Sequence, residues 1–201
     1  GEEKVMVDPL EIKAHWPRIA AIDFGWDHPT AVVWCAVDRD EDTFYIYDCY
    51  RASKASPSVH AENIRLRPHF IPIAYPHDGN RRDSMGNPGL AEQYRNLGCN
   101  FLLQHFTNPP ALGSNKGSNS VEEGLMAMLQ SIEAGKFKVF STLSDWFEEF
   151  RMYHRKDNKV VPLRDDLMSA TRYAFQSQRF AVAGEDPAWT QDIEYRNYGI
   201  I

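Results

Sequence analysis

Cysteine is scarce and unpaired. Cys35, Cys49 and Cys99 are the only three, and no CxxC spacing joins any two of them, so neither a disulfide framework nor a thiolate zinc site is on offer. An odd thiol count suits a reducing, intracellular setting, and core packing is the expected role of each. Long apolar runs are missing too. None approaches the ~18 residues of a membrane-spanning helix, and no leader pattern opens the chain, so a soluble protein is expected. Basic residues are the minority charge, 22 Lys and Arg against 28 Asp and Glu, for a net charge of −6. That argues against a generic nucleic-acid coat but not against a local basic groove, because screening confines each field to about 8–10 Å. The GxxxxGK[ST] phosphate loop is absent, and no serine, cysteine or histidine triad has sequence support.

What is present fits one sizeable core: 201 residues, 43% of them apolar, most simply form a single domain. The stretch PRIAAIDFGWDHPT, residues 17–30, organises the rest. Its apolar run at 19–22 reads as a buried central strand that ends in Asp23, and Gly25 allows a tight turn straight afterwards. A carboxylate in that position, buried and unpaired, would cost several kcal/mol. It must be hydrogen-bonded by backbone or face a cation. Asp78 follows another apolar run at 70–75, and Asp165 and Asp166 open the apolar-periodic LMSATRYAF. Separated carboxylates in such punctuation suggest a metal centre assembled by the fold.

In chain order, residues 1–16 read as a linker or boundary segment. Residues 31–37 and 43–47 are strands joined by a charged hairpin at 38–42, completing an antiparallel meander with the first. A helix with Ser56 as cap and apolar Val59, Ile64 and Leu66 crosses over to a strand at 71–75, which is expected to run parallel to the first and bring Asp78 opposite Asp23. Two carboxylates about 4 Å apart repel by about 4 kcal/mol at an effective dielectric of ~20, a cost that an intervening divalent cation reverses. A helix at 90–97, a strand at 100–105 and a long loop at 107–120 follow. Ser120 and Glu123 form a capping box for a helix whose methionines are expected in the core, with Gly135 as its stop before a strand at 137–140. The helix at 143–153 presents Trp146, Phe147 and Phe150 on one face. A hairpin turning at Asp157 and Asn158 then delivers the two acids to a final helix packed through Leu167, Ala170 and Ala174.

Four stretches in this order, AAIDFGWDHPTAVV, AYPHDGN, NSVEEGLMAMLQSIEAGKFKVF and RDDLMSATRYAF, resemble the C-terminal nuclease domain of tailed-bacteriophage terminase large subunits, the DNA-packaging motor proteins. The likeness covers residues 17–178 and leaves 179–201 as a C-terminal tail. It implies a ribonuclease H-like α/β fold, a mixed central sheet with antiparallel first three strands and flanking helices. It further implies a divalent-metal-dependent endonuclease that cuts double-stranded DNA during viral genome packaging, using two Mg²⁺ or Mn²⁺ ions. Asp23 would bridge the ions, Asp78 would hold one and Asp166 or Asp165 the other; oxygen-only ligands suit Mg²⁺ or Mn²⁺ better than zinc. The family pattern often carries another acid where this chain has Ser169, which leaves the third ligand open between Asp165 and Asp166.

His77, next to Asp78, is a candidate auxiliary ligand or base, with a structural hydrogen-bonding role as the alternative. Arg81, Arg82, Lys116, Arg155, Lys156 and Lys159 are the candidates for DNA backbone contact, since phosphate neutralisation works best beside the cleft. The resemblance also implies partners: the ATPase half of the same protein, absent from this stretch, the portal and the small terminase subunit, all in the host cytoplasm, with no membrane involved. Two other readings stand beside it. One is a catalytically idle ribonuclease H-like module binding DNA or the portal; the other is an actin-like or sugar-kinase-like ATPase, suggested by Asp23-x-Gly25 with Thr30 but lacking a second lobe.

Overall fold

The apolar run at 19–22 becomes the strand β2, Arg18–Asp23, and its neighbour β3, Thr30–Asp38, is buried at every position. Continuous burial of β3 requires cover on both faces of the sheet. The computed structural model describes residues 1–82, 84–153, 155–156, 159–160 and 165–184, with backbone only for 155–156 and 159–160. Within it β4, Thr43–Ala52, completes the antiparallel meander, with a register irregularity between Trp34 and Cys35. β5, Ile73–Ala74, lies parallel to β2 with Ala20 opposite Ile73 and Ala21 opposite Ala74. On the other side β6, Phe137–Phe140, runs parallel to β4, and β1, Met6–Val7, runs parallel to β6. The sheet therefore has six strands in the order β1-β6-β4-β3-β2-β5.

Strand alternation sorts the core into two layers. Ile19 and Ala21 join Ala31, Val33 and Phe137 on one face, covered by Met128 of α3 (Val121–Glu133), Trp146 and Phe147 of α4 (Ser144–Met152), and Leu167, Ala170 and Ala174 of α5 (Asp166–Gln176). Ala20, Ile22, Val32 and Trp34 face the other way, under α1 (Pro57–Ile64) and α2 (Leu90–Asn96). A small antiparallel pair, β7 (Arg155–Lys156) and β8 (Lys159–Val160), stands apart from the main sheet. Asp157, Asn158 and the segment 161–164 lie outside the described residues. No helix among the described residues is long and apolar enough to cross a membrane.

Several local expectations change. The segment 1–16 is integrated into the body: Val5 is fully buried, its carbonyl accepts from Val139 N at 2.7 Å, and Trp16 stacks on Tyr45 at 5.3 Å. A two-residue strand is too short to show a period. The expected strand at 100–105 is reduced to one bridge, Phe101 to Ile73, because side chains take the next carbonyls: Arg95 donates to Leu102 O and Tyr75 Oη to Leu103 O. Leu66, beyond the end of α1, is 80% exposed, and Val59 is exposed as well. On α3, Met128 is buried but Met126 is exposed. Met126 borders an apolar cavity of about 360 Å³ shared with Leu129, Trp146 and Phe150. The capping box is half made: Glu123 N donates to Ser120 Oγ at 3.3 Å, while the Glu123 carboxylate turns to Ser118 and Asn108.

Candidate metal centre

The turn after β2 is built by Thr30 and Gly25. Gly25 N donates to Thr30 Oγ1 at 3.1 Å, and the same hydroxyl donates back to Gly25 O at 2.9 Å. A Cβ on residue 25 would sit 2.3 Å from His28 O and 2.6 Å from Pro29 O, so the loop closes only around glycine. Space, rather than a left-handed backbone, imposes that choice. Asp23 is thereby fixed at the end of the central strand with its side chain on the α5 face, the face of Ala21 and Ala31.

Asp78 arrives from β5 on a 3-10 turn, His77–Asn80, and is exposed. Its position follows from the parallel pairing of β5 with β2, which places the two strand ends at one edge of the molecule. Asp166 begins α5 and is 7% exposed; Asp165 precedes it as the N-cap residue. Neither acid has the ordinary explanation of a helix-capping carboxylate in full, since Asp165 makes no side-chain cap hydrogen bond among the described residues. Asp166 Oδ2 is buried without a hydrogen-bond partner among them.

Electrostatics tie these acids together. Burial, and then the charges of Asp166, Asp78 and Asp165, push the Asp23 carboxyl from its ordinary 3.8 up to about 8, with Arg172 pulling the other way. Burial and then Asp165 raise Asp166, opposed by His28. The Tyr173 hydroxyl points to Asp23 Oδ1 at a long 3.5 Å, and burial followed by Asp23 raises that phenol well above its usual range. Among the described residues no group of three or more His, Cys, Asp or Glu side chains stands close enough together to hold a metal ion as it is. Asp23, Asp78 and the Asp165–Asp166 pair are carried by three different elements, near enough for the other acids to raise the Asp23 carboxyl. Their donors are hard, one buried oxygen is orphaned, and the net charge repels itself. All three properties fit a divalent cation such as Mg²⁺ or Mn²⁺.

The other sequence-derived residues are scattered around this set. His77 is exposed, with its ring 6.2 Å from that of His105. Arg81 and Arg82 are exposed next to the Asp78 turn, although Arg82 is shared with Glu92 at 3.6 Å and Gly86 O at 3.4 Å. Lys116 is exposed on the long loop, where it lines a groove of about 810 Å³ with His105, Phe106 and Arg179. The side chains of Arg155, Lys156 and Lys159 lie outside what the structure describes.

Sequence reasoning missed Arg172, Tyr173, Arg51 and Glu149. Tyr173 lies seven residues after Asp166, two turns along the same helix face, so periodicity could have found it. Arg172 is buried against the touching Phe106 and Tyr173 rings, with its guanidinium carbon 5.5 and 4.8 Å from their centres. Glu149 is fully buried and sits on the Trp146 side of α4, an acid on an apolar face. Its Oε2 accepts from Leu167 N at 2.7 Å and Met168 N at 3.3 Å, and its Oε1 accepts from Arg51 at 3.1 Å.

Residues 20–178 match the family model described as the terminase RNaseH-like domain. The chain is 38% identical over 181 residues to the terminase large subunit of Salmonella phage P22, covering 90% of this chain and 35% of that protein. It thus spans about a third of the length of the curated relatives it matches. Among solved structures, the nuclease domain of the P22 large terminase superposes with a TM-score of 0.81 at 36% identity, covering 91% of this chain and 92% of that one. The large terminase nuclease domain of bacteriophage SPP1, solved with bound Mn, shares the fold with a TM-score of 0.56 at 17% identity, covering 87% and 96%.

Proposed function

Because this chain belongs to the terminase RNaseH-like domain family, we propose that it is a divalent-metal-dependent endonuclease that hydrolyses double-stranded DNA during genome packaging. The observation that carries this reading is that β2, the turn after β5 and the start of α5 bring Asp23, Asp78, Asp165 and Asp166 near enough for the last three to raise the Asp23 carboxyl, with one Asp166 oxygen buried and unpartnered among the described residues. Self-repelling acids gathered from three elements are costly for a fold to keep unless a cation offsets them. A catalytically idle module would gain stability by losing them.

Asp23 on the central strand would be the ligand shared by the two ions, Asp78 would hold one, and Asp166, the more buried of the α5 pair, would hold the other with Asp165 beside it. Divalent cations held there would supply a lowered pKa for the attacking water and charge neutralisation at the leaving 3′ oxygen. The chain's own contribution is positional. The Gly25–Thr30 turn fixes Asp23, Tyr173 orients its Oδ1, and Arg172 sets a fixed positive charge behind it. Arg81 and Arg82, exposed beside the Asp78 turn, and Lys116, exposed on the long loop, would neutralise phosphates without reading sequence; Arg155, Lys156 and Lys159 would extend the same role to the hairpin. His77, adjacent to Asp78, would be an auxiliary ligand or base.

The SPP1 relative's bound Mn supports a divalent ion here. The ATPase half found in full-length relatives, the portal and the small terminase subunit are the partners this assignment brings with it, in the host cytoplasm. Supercoiled plasmid tests the reading: with Mg²⁺ or Mn²⁺ the chain is expected to nick and linearise it, and chelation is expected to stop the reaction. Nucleotide binding without any cleavage would instead favour the kinase-like alternative.

A further inference from the structure

The acids at the start of α5 are free to face Asp23 because something else caps the helix. The first N–H groups of an α-helix need acceptors from outside the helix, and an N-cap aspartate is the common supplier. Asp165 does not act so among the described residues. Glu149, on a different helix, accepts from Leu167 N at 2.7 Å and Met168 N at 3.3 Å with one oxygen. Its other oxygen is held by Arg51 Nη1 at 3.1 Å. Arg51 is itself fixed by Asp145 at 3.3 Å and by Glu148.

The sheet shows why this arrangement reaches the site. Asp23 pairs with Ala31, and Ala31 pairs with Arg51, so the three lie in one row across β2, β3 and β4. Directly paired residues project to the same face. That face carries α5, whose first turn therefore lies over a row with Asp23 at one end and Arg51 at the other. Ala31 in the middle is small and fully buried, which leaves room for the close approach of the helix. We propose that Glu149, anchored by Arg51, is the positioning residue that caps α5 from α4 and so sets Asp165 and Asp166 opposite Asp23 for metal binding. This rests on the assignment of those acids as metal ligands.

Melting of the full chain with and without Mn²⁺ tests it. Wild type is expected to melt higher with Mn²⁺, by mass action on the native state. Glu149→Ala is expected to lose most of that shift. Glu149→Asp keeps the charge but is one methylene shorter, and its half-saturating Mn²⁺ is expected to rise at least fivefold. Glu149→Gln, which keeps an acceptor for Leu167 and Met168, is expected to recover much of the response. Ile64→Ala, under the opposite face of the sheet, is the control for destabilisation alone: a lower melting point with the Mn²⁺ shift retained. If either folded variant, Glu149→Ala or Glu149→Asp, responds to Mn²⁺ within twofold of wild type, Glu149 merely stabilises the fold and the positioning role is overturned. Absence of any shift in wild type would overturn the metal assignment along with it.

Discussion

At the scale of single residues, Asp23 makes the account quantitative. Its carboxyl, ordinarily near 3.8, is held up at about 8, so between those values the folded chain keeps a proton that the unfolded chain has lost. The folded state then binds more protons, and stability falls as pH rises through that interval. Asp166, raised by burial and Asp165, and Glu149, raised mainly by burial to about 7, act in the same direction. The melting temperature in chelator is therefore expected to decline between about pH 5 and pH 8, and saturating Mg²⁺ to flatten the decline. A cation must displace the Asp23 proton, so half-saturating Mg²⁺ should fall by up to about tenfold per pH unit below pH 8 and level off above it. A pH-independent midpoint, by calorimetric or thermal-shift titration, would contradict this. Replacing the charge gives the complementary expectation. In chelator at pH 8, Asp23→Asn should unfold at higher denaturant, by on the order of 1–3 kcal/mol, because it removes a half-buried charge that neighbouring acids oppose.

At the scale of elements, the Gly25 turn and the cap of α5 carry the site. Gly25→Ala would push a Cβ onto two backbone carbonyls, so the turn must open. A loss of about 2–4 kcal/mol in chemical denaturation is expected, together with loss of metal response because Asp23 moves with it. Thr30→Val removes both hydroxyl hydrogen bonds to Gly25 and should cost about 1–2 kcal/mol. These elements also mark how far sequence carries. β2, β3 and the acid after each apolar run were legible because burial of a central strand leaves a continuous apolar signature that ends abruptly. Positions 100–105 were not, since whether an apolar segment becomes a strand depends on whether its carbonyls are free, and Arg95 and Tyr75 take two of them. Glu149 was hidden for a related reason. An acid within Trp-Phe-Glu-Glu-Phe looks like the polar side of an amphipathic helix until α5 is placed against it.

At the scale of the whole molecule, two helical layers clamp one sheet, and the acids lie where β2 ends, just past the end of β5, and where α5 begins. The tail reaches back to this framework: Val182 exchanges backbone hydrogen bonds with Arg18 at 2.8 and 3.0 Å, and Gly184 packs under the Phe70 ring. Residues 185–201 lie outside the described part. Truncation after Gly184 keeps every described contact and is expected to leave cleavage within a few-fold of the full chain; complete loss by a folded truncation would place the tail in the active site. The central claim, that carboxylates gathered by this fold hold the metal that cuts DNA, is tested most directly by plasmid cleavage with Asp23→Asn beside wild type in Mg²⁺ or Mn²⁺. Wild type is expected to cut, and the folded variant to cut at background; metal-supported cutting by Asp23→Asn at the wild-type rate would contradict the account.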